Sequence, residues 1–207
     1  VKLIIAACGT VSSVAPHVGM ESPLPFIGVV EPAAKAAAAA TKNGKIGVIG
    51  TTATIKSGAF EHVIHCAMPD AEVISKNCPM FVPLVENGWF GRDDEIANLA
   101  AERYLAPLAD SGIDTLILGC THFPILWDNI RHVMGESVTL INTGLEAARE
   151  AAALLRKNDA LNGSGSPGVR RFFVSDTAEG FAKTASIFLG RDPLEEVSRV
   201  RVDAIAV

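Results

Sequence analysis

The chain has 207 residues, 49% of them hydrophobic and 20% charged, with a formal net charge of −5. That length holds one large or two small domains, and no run of apolar residues is long enough to suggest a membrane span. An acidic balance without any basic stretch argues against a nucleic-acid partner. Four cysteines without regular spacing fit a reducing cytosol better than a disulfide scaffold. Residues 1–7 lack the charged lead and cleavage site of a signal peptide, so the expected location is cytoplasmic.

In chain order, residues 2–7 read as a buried strand that ends in Cys8, Gly9 and Thr10, and a helical stretch over 11–16 follows. Residues 26–30, FIGVV, read as a second buried strand. Glu31 and Pro32 then open an alanine-rich helix to about Thr41, closed by Asn43-Gly44. Residues 45–50, KIGVIG, predict a strand with Thr51, Thr52 and Thr54 at its C-terminal end. A helix over 57–66 and a short strand over 72–75 come next. Residues 81–85, with Pro79 before them and Pro83 among them, read as loop.

Asp93 can cap a helix whose apolar positions are Ile96, Leu99, Ala100, Tyr104 and Leu108, with Gly112 ending it. Thr115 to Leu118 is a strand buried on both faces, and it runs through Gly119 into Cys120, Thr121 and His122. Pro124 suits the first turn of a helix whose apolar face is Leu126, Ile130, Val133 and Met134, closed by Gly135. Strand 138–141, helix 146–157, a flexible loop over 158–168 and strand 171–174 complete the alternation. Asp176 with Glu179 resembles a capping box for a helix over 178–189. Strands alternating with helices throughout predict an α/β fold built on parallel sheets.

Cysteine, hydroxyl and helix follow a strand twice, at Cys8 and at Cys120. In open α/β sheets the C-terminal strand ends carry the ligand sites. A thiol facing a helix N-terminus is expected to have a lowered pKa. The other two cysteines, Cys66 and Cys78, read as small buried hydrophobes. His62, His65, Cys66 and Cys78 have no zinc-site spacing, and Gly47 with Gly50 makes no dinucleotide fingerprint. No metal or cofactor is therefore expected.

Together, ACGTVSSVAP, IGVVEPAAKAA, GVIGTTATIKSGAF, CPMFVPLVE, LILGCTHFPIL and INTGLEAAREAA resemble bacterial glutamate racemase, of the aspartate/glutamate racemase superfamily. The resemblance runs from residue 1 to the C-terminus, and GCTHFP is its most specific part. It implies a cofactor-independent isomerase, a homodimer, that interconverts L- and D-glutamate for peptidoglycan synthesis, cell wall biogenesis and cell shape. It also implies two similar doubly wound domains with the active site between them: residues 1–31 plus 143–207, and residues 32–142. Racemisation removes a proton from one face of Cα and returns one to the other, which asks for two acid/base groups. Cys8 and Cys120 are that pair by resemblance, with His122 as partner of Cys120 and Glu86 as the family's carboxylate. Gly9, Thr10, Thr121 and His122, with Thr52 or Thr54, are the expected substrate contacts, the backbone N–H groups of Gly9 and Thr121 among them.

The family's first cysteine is followed by asparagine, and Gly9 stands there instead. The corresponding expectation is that Gly9→Asn tightens substrate binding by about ten-fold at most, or leaves it unchanged. FDSG-type and PYG segments of the family precede the first matching position. The expectation is thus that a preceding segment completes the site, and that residues 1–207 alone are inactive and prone to associate. Two rival readings are an aspartate or other amino-acid racemase of the superfamily and a catalytically silent amino-acid-binding protein.

Overall fold

The computed structural model describes residues 1–15, 17–166 and 168–201; the end of the predicted 11–16 helix, Pro16, lies outside them. The chain divides into two units, Val1–Leu161 and Asn162–Val207. In the first, β1 (Ile4–Ala6) pairs in parallel with β2 (Phe26–Gly28), Ile5 opposite Ile27. Helices α1 (Gly9–Val14) and α2 (His17–Met20) connect them. Helix α3 (Val30–Ala40) leads to β3 (Lys45–Gly50), α4 (Thr52–Lys56), α5 (Ala59–Ala67) and β4 (Glu72–Asn77). Then come α6 (Phe81–Glu86), α7 (Glu95–Ala109), β5 (Thr115–Leu118), a 3-10 turn (Phe123–Leu126), α8 (Trp127–Met134), β6 (Thr139–Asn142) and α9 (Thr143–Lys157).

The larger sheet has the order β4-β3-β5-β6, all parallel, with Val48 opposite Ile117 and Ile117 opposite Ile141. Chain order reverses between β3 and β5, since β4 follows β3 outward on one side and β6 follows β5 on the other. A parallel sheet opens a crevice at that switch point, beyond the C-terminal strand ends. Both faces are covered. Ile49, Leu116 and Leu118 pack in one cluster with Phe81, Leu105, Phe123 and Ile130. Ile46, Val48 and Ile117 pack in another with Ala33, Ala37, Phe60 and Ile64. The alanines of α3 favour helix, and their small side chains let it lie close to the sheet.

The opposite end of β5 is tied by Asp114. Its carboxylate accepts bonds from the hydroxyls of Thr41 and Thr115 (2.6 and 2.9 Å) and from the N–H groups of Lys42 and Asn43 (2.7 and 2.9 Å). Burial pushes this carboxyl up, but the four donors outweigh it and hold its pKa below the usual value. A group depressed in the folded state contributes stability above its unfolded pKa and loses it as pH falls through the folded one. Asp114→Ala is expected to cost about 2 kcal/mol at neutral pH, because two N–H groups lose their acceptor. Urea unfolding of the two proteins at pH 7 and pH 3 should show the difference shrinking in acid.

The second unit contains β7 (Phe172–Val174), α10 (Ala178–Leu189), a 3-10 turn (Leu194–Glu196) and β8 (Val197–Arg199), with β7 and β8 parallel. Arg191 forks onto Glu196 through two bonds, 2.7 and 3.0 Å long, and the rings of Phe172 and Phe181 lie 5.6 Å apart.

Several local expectations are corrected. The 2–7 strand is not buried: Ile4 and Ile5 are 38% and 40% exposed, because β2 is the only strand beside β1 among the described residues. Residues 81–85 are helical, since Pro83 falls in the first turn of α6, where its missing N–H has no intrahelical partner to lose. Asp94 rather than Asp93 caps α7, accepting from the N–H of Ala97 at 2.8 Å. The buried face of α7 is Ala97, Ala101, Leu105 and Leu108, which leaves Ile96 and Leu99 exposed. The predicted 57–66 helix is α5, which starts two residues later because Gly58, with a φ of 65°, separates it from the short helix α4. Thr177, not Asp176, caps α10. Cys66 is exposed, with Sγ 3.8 Å from Nε2 of His62, whereas Cys78 is buried as expected.

Candidate active site

Cys120 follows β5 through Gly119 and precedes the 3-10 turn with Pro124, so it lies at the switch point. The cysteine is buried, 7% exposed. The imidazole of His122 turns back on it, Nδ1 lying 3.9 Å from the sulfur and 3.4 Å from the Thr121 hydroxyl. On its other side Nε2 of His122 meets the Glu86 carboxylate at 3.2 Å. Glu86 is the last residue of α6. Thiol, imidazole and carboxylate thus follow one another in contact.

Burial pushes the Cys120 thiol above its ordinary pKa, and the nearby Cys8 pushes the same way. Backbone N–H groups of His122 and Phe123 and the Thr121 hydroxyl oppose the rise without cancelling it. The expectation of a lowered pKa at Cys120 is therefore overturned. The turn after β5 does aim N–H groups at the sulfur, but desolvation exceeds what they return. The shift favours the protonated thiol over the thiolate.

Cys8 is the N-cap residue of α1 and is exposed. Ser12 holds that helix in place, donating to the Ala6 carbonyl (3.0 Å) and accepting from the Val29 N–H (3.1 Å). Gly9 is buried against β5: a Cβ built on it would lie 2.1 Å from the carbonyl oxygen of Gly119. Each glycine is next to one of the two cysteines, so the Cα atoms of Cys8 and Cys120 lie within about 10 Å of each other. Two strands that start the same local motif thus bring their thiols to one place. The same contact removes the expectation for Gly9→Asn, because no side chain fits there without backbone movement.

Three hydroxyls close the floor. Thr10 lies 2.9 Å from Thr51 and 3.3 Å from Thr54, and Thr51 lies 3.0 Å from Thr54. Thr54 is buried and Thr51 caps α4. Thr52, a sequence candidate, points elsewhere: it is exposed and accepts from the Asn77 amide at 3.3 Å. Thr51 takes the place expected of it. Its signal was present in the sequence, as the first hydroxyl after the glycine that ends β3, which is the ordinary N-cap position.

Cys78 takes no part. It sits among core residues with its pKa pushed up to about 12 by burial. A thiol raised in the folded state contributes stability below its unfolded pKa near 9 and loses it as pH rises toward the folded value. Stability should therefore fall above about pH 9, by up to about 1.4 kcal/mol per pH unit from this group. Cys78→Ala should flatten that limb in denaturation curves taken between pH 8 and 11.

The residues described so far make an α/β crevice with two thiols and a hydroxyl floor, which is the arrangement of a proton-transfer enzyme. The sequence profile of the Asp/Glu/Hydantoin racemase family matches residues 1–151, and the chain belongs to that family. It is 42% identical over 205 residues to a glutamate racemase of Geobacter metallireducens, covering 99% of this chain and 75% of that one. The structure superposes on the isoform RacE1 glutamate racemase of Bacillus anthracis with a TM-score of 0.89 at 35% identity, covering 100% of this chain and 76% of that one. A glutamate racemase of Francisella tularensis, solved in complex with D-glutamate, gives 0.88 at 34%, covering 99% and 75%. Among the described residues no helix is long and apolar enough to cross a membrane.

Proposed function

We propose that this chain is a glutamate racemase that works by two thiols without a cofactor. The observation that carries the reading is the juxtaposition of Cys8 and Cys120 at the ends of two equivalent strand–turn motifs. One thiolate removes the Cα proton on one face while the other, as thiol, supplies a proton on the opposite face. His122, held by Glu86, takes up and returns the Cys120 proton; its geometry suits general-base assistance, with contacts that tighten once substrate is bound. Thr10, Thr54 and Thr121, with the backbone N–H groups of Gly9 and Thr121, offer donors to the substrate carboxylate, where charge develops as the proton leaves. Thr51 joins them, and Thr52 leaves the list.

The substrate is assigned by the relatives, which are named for glutamate. On the same footing we assign the product to peptidoglycan synthesis, the protein to the cytoplasm and its assembly to a homodimer. The division into residues 1–31 plus 143–207 and residues 32–142 belongs to this reading too. The test follows the optical signal of L-glutamate, L-aspartate and L-alanine with the purified protein. Loss of signal with glutamate, at a rate at least ten-fold above the other two, supports the assignment. A faster loss with aspartate moves the protein to the sibling specificity.

A further inference from the structure

The two glycines beside the thiols form one stacked backbone contact. The N–H of Gly119 donates to the Ile49 carbonyl at 2.7 Å, and a Cβ on Gly119 would lie 2.6 Å from that same oxygen. Gly119 is thus pinned to β3 on one side. Its own carbonyl faces Gly9 on the other, where a Cβ would sit at 2.1 Å, and the Thr54 hydroxyl would lie 3.6 Å from that Cβ. Neither oxygen belongs to a flexible side chain. A residue larger than glycine at position 9 has to lift α1 away from β5 by about 1 Å or more to reach ordinary contact distance.

We infer that Gly9 is a positioning residue whose missing side chain seats α1 on the Gly119 carbonyl and thereby sets the spacing of the Cys8 and Cys120 thiols. The spacing is built from backbone on backbone, which is stiffer than a side-chain contact. Thr10 is the next residue of the same turn, and its hydroxyl bonds to Thr51 and Thr54 fasten the turn laterally while the glycine contact sets its depth. The inference deepens the two-thiol reading above and rests on it for its catalytic consequence. Its geometric content stands apart from that reading, and a thiol chemistry that needs no substrate can measure it.

The test uses the full chain carrying Cys66→Ser, which removes the exposed thiol outside the site. A short bis(bromomethyl) reagent is added; each thiolate displaces one bromide, so two C–S bonds form and two bromides and two protons leave. The parent protein should be bridged between Cys8 and Cys120, as read by mass. Gly9→Ala should be bridged at least ten-fold more slowly, with single alkylation of Cys8 by iodoacetamide unchanged. Gly47→Ala is the control for general loosening, since its Cβ crowds the Ile113 and Leu116 side-chain ends at 2.5 and 2.8 Å inside the sheet, with the Thr115 carbonyl at an ordinary 3.7 Å; it should bridge at the parent rate. In racemisation, Gly9→Ala should lower kcat about 100-fold with KM changed only a few-fold.

Bridging of Gly9→Ala at the parent rate, or equal slowing in Gly47→Ala, overturns the inference whatever the racemase result. The kcat comparison needs a parent that racemises, whereas the bridging comparison decides the geometry with or without that activity. Should Gly9→Ala fail to fold, the parent alone decides: a short reagent must bridge at least ten-fold faster than one with a long spacer, and the reverse order contradicts the seating.

Discussion

Cys8→Ser and Cys120→Ser should each lower racemisation by about 10³-fold or more, because an alcohol is too weak an acid to exchange a proton with Cα at neutral pH. The effect should be equally severe at both positions, although the two residues differ greatly in burial. Cys8 is exposed at the start of α1, and Cys120 is buried beside His122. A role in packing would make only the buried one costly. Each mutant should still eliminate the leaving group from a β-substituted glutamate of one configuration, since elimination needs a base on one face only. The two mutants should prefer opposite enantiomers. Near-normal racemisation by either mutant, or the same enantiomer preference in both, would remove the two-base assignment.

Phe123→Ala should have the largest effect on stability near the site. Phe123 is fully buried, and its ring meets that of Phe81 edge-on, with centroids 5.1 Å apart. Phe81 opens α6 and meets Tyr104 edge-on in turn, at 5.4 Å. Truncation leaves a cavity at one end of this row, at a cost of about 3–5 kcal/mol. For a chain of this length that lowers the melting temperature by about 10 °C. The consequence for chemistry follows from the chain itself. Phe123 is the neighbour of His122, and Phe81 anchors the helix that ends in Glu86, so the aromatic contact holds imidazole and carboxylate within reach of each other. Phe123→Leu, which refills most of the space, should recover most of the stability and the activity. Thermal unfolding of both variants beside their racemisation rates checks the link. A Phe123→Ala protein as stable as its parent would contradict it.

Much of this arrangement is legible in the residues, for reasons that differ along the chain. The 45–50 strand and the 178–189 helix have the bounds expected of them, because glycine, proline or hydroxyl residues mark their ends and their apolar period is unbroken. Cys120 is placed by the same logic: a buried run stops at glycine and a proline starts the next turn. Patterns of one-residue resolution fare worse. The α7 face is shifted by one position because alanines 97 and 101 are buried where larger Ile96 and Leu99 look more apolar. Helix α6 escapes because proline signals a break unless its place in the turn is known.

Electrostatics at the site is the least legible. The helix-start argument for Cys120 counts the N–H groups that local sequence supplies, but burial comes from a core cluster that includes Ile49, Leu84 and Val85 from elsewhere in the chain, and it dominates. Gly9 shows the same limit. As a lone substitution in a familiar motif it looks like a lost hydrogen bond, and only the fold reveals the carbonyl of Gly119 in the space a side chain would take. Thr51 and Thr52 are equivalent as letters. One caps α4 and faces Thr10, the other projects outward, and a single step along the chain separates their fates.

The central claim, that two thiols on opposite faces exchange protons with Cα, is tested most directly by racemisation of L-glutamate in deuterium oxide. Early in the reaction, product D-glutamate should carry deuterium at Cα in essentially every molecule, because the group that delivers it has equilibrated with solvent. Recovered L-glutamate should still be protiated, because the group that removes the proton is on the other face. D-glutamate that retains the original protium, at a fraction that does not change with time, would mean that one group carries the proton from face to face, and the two-thiol account would be contradicted.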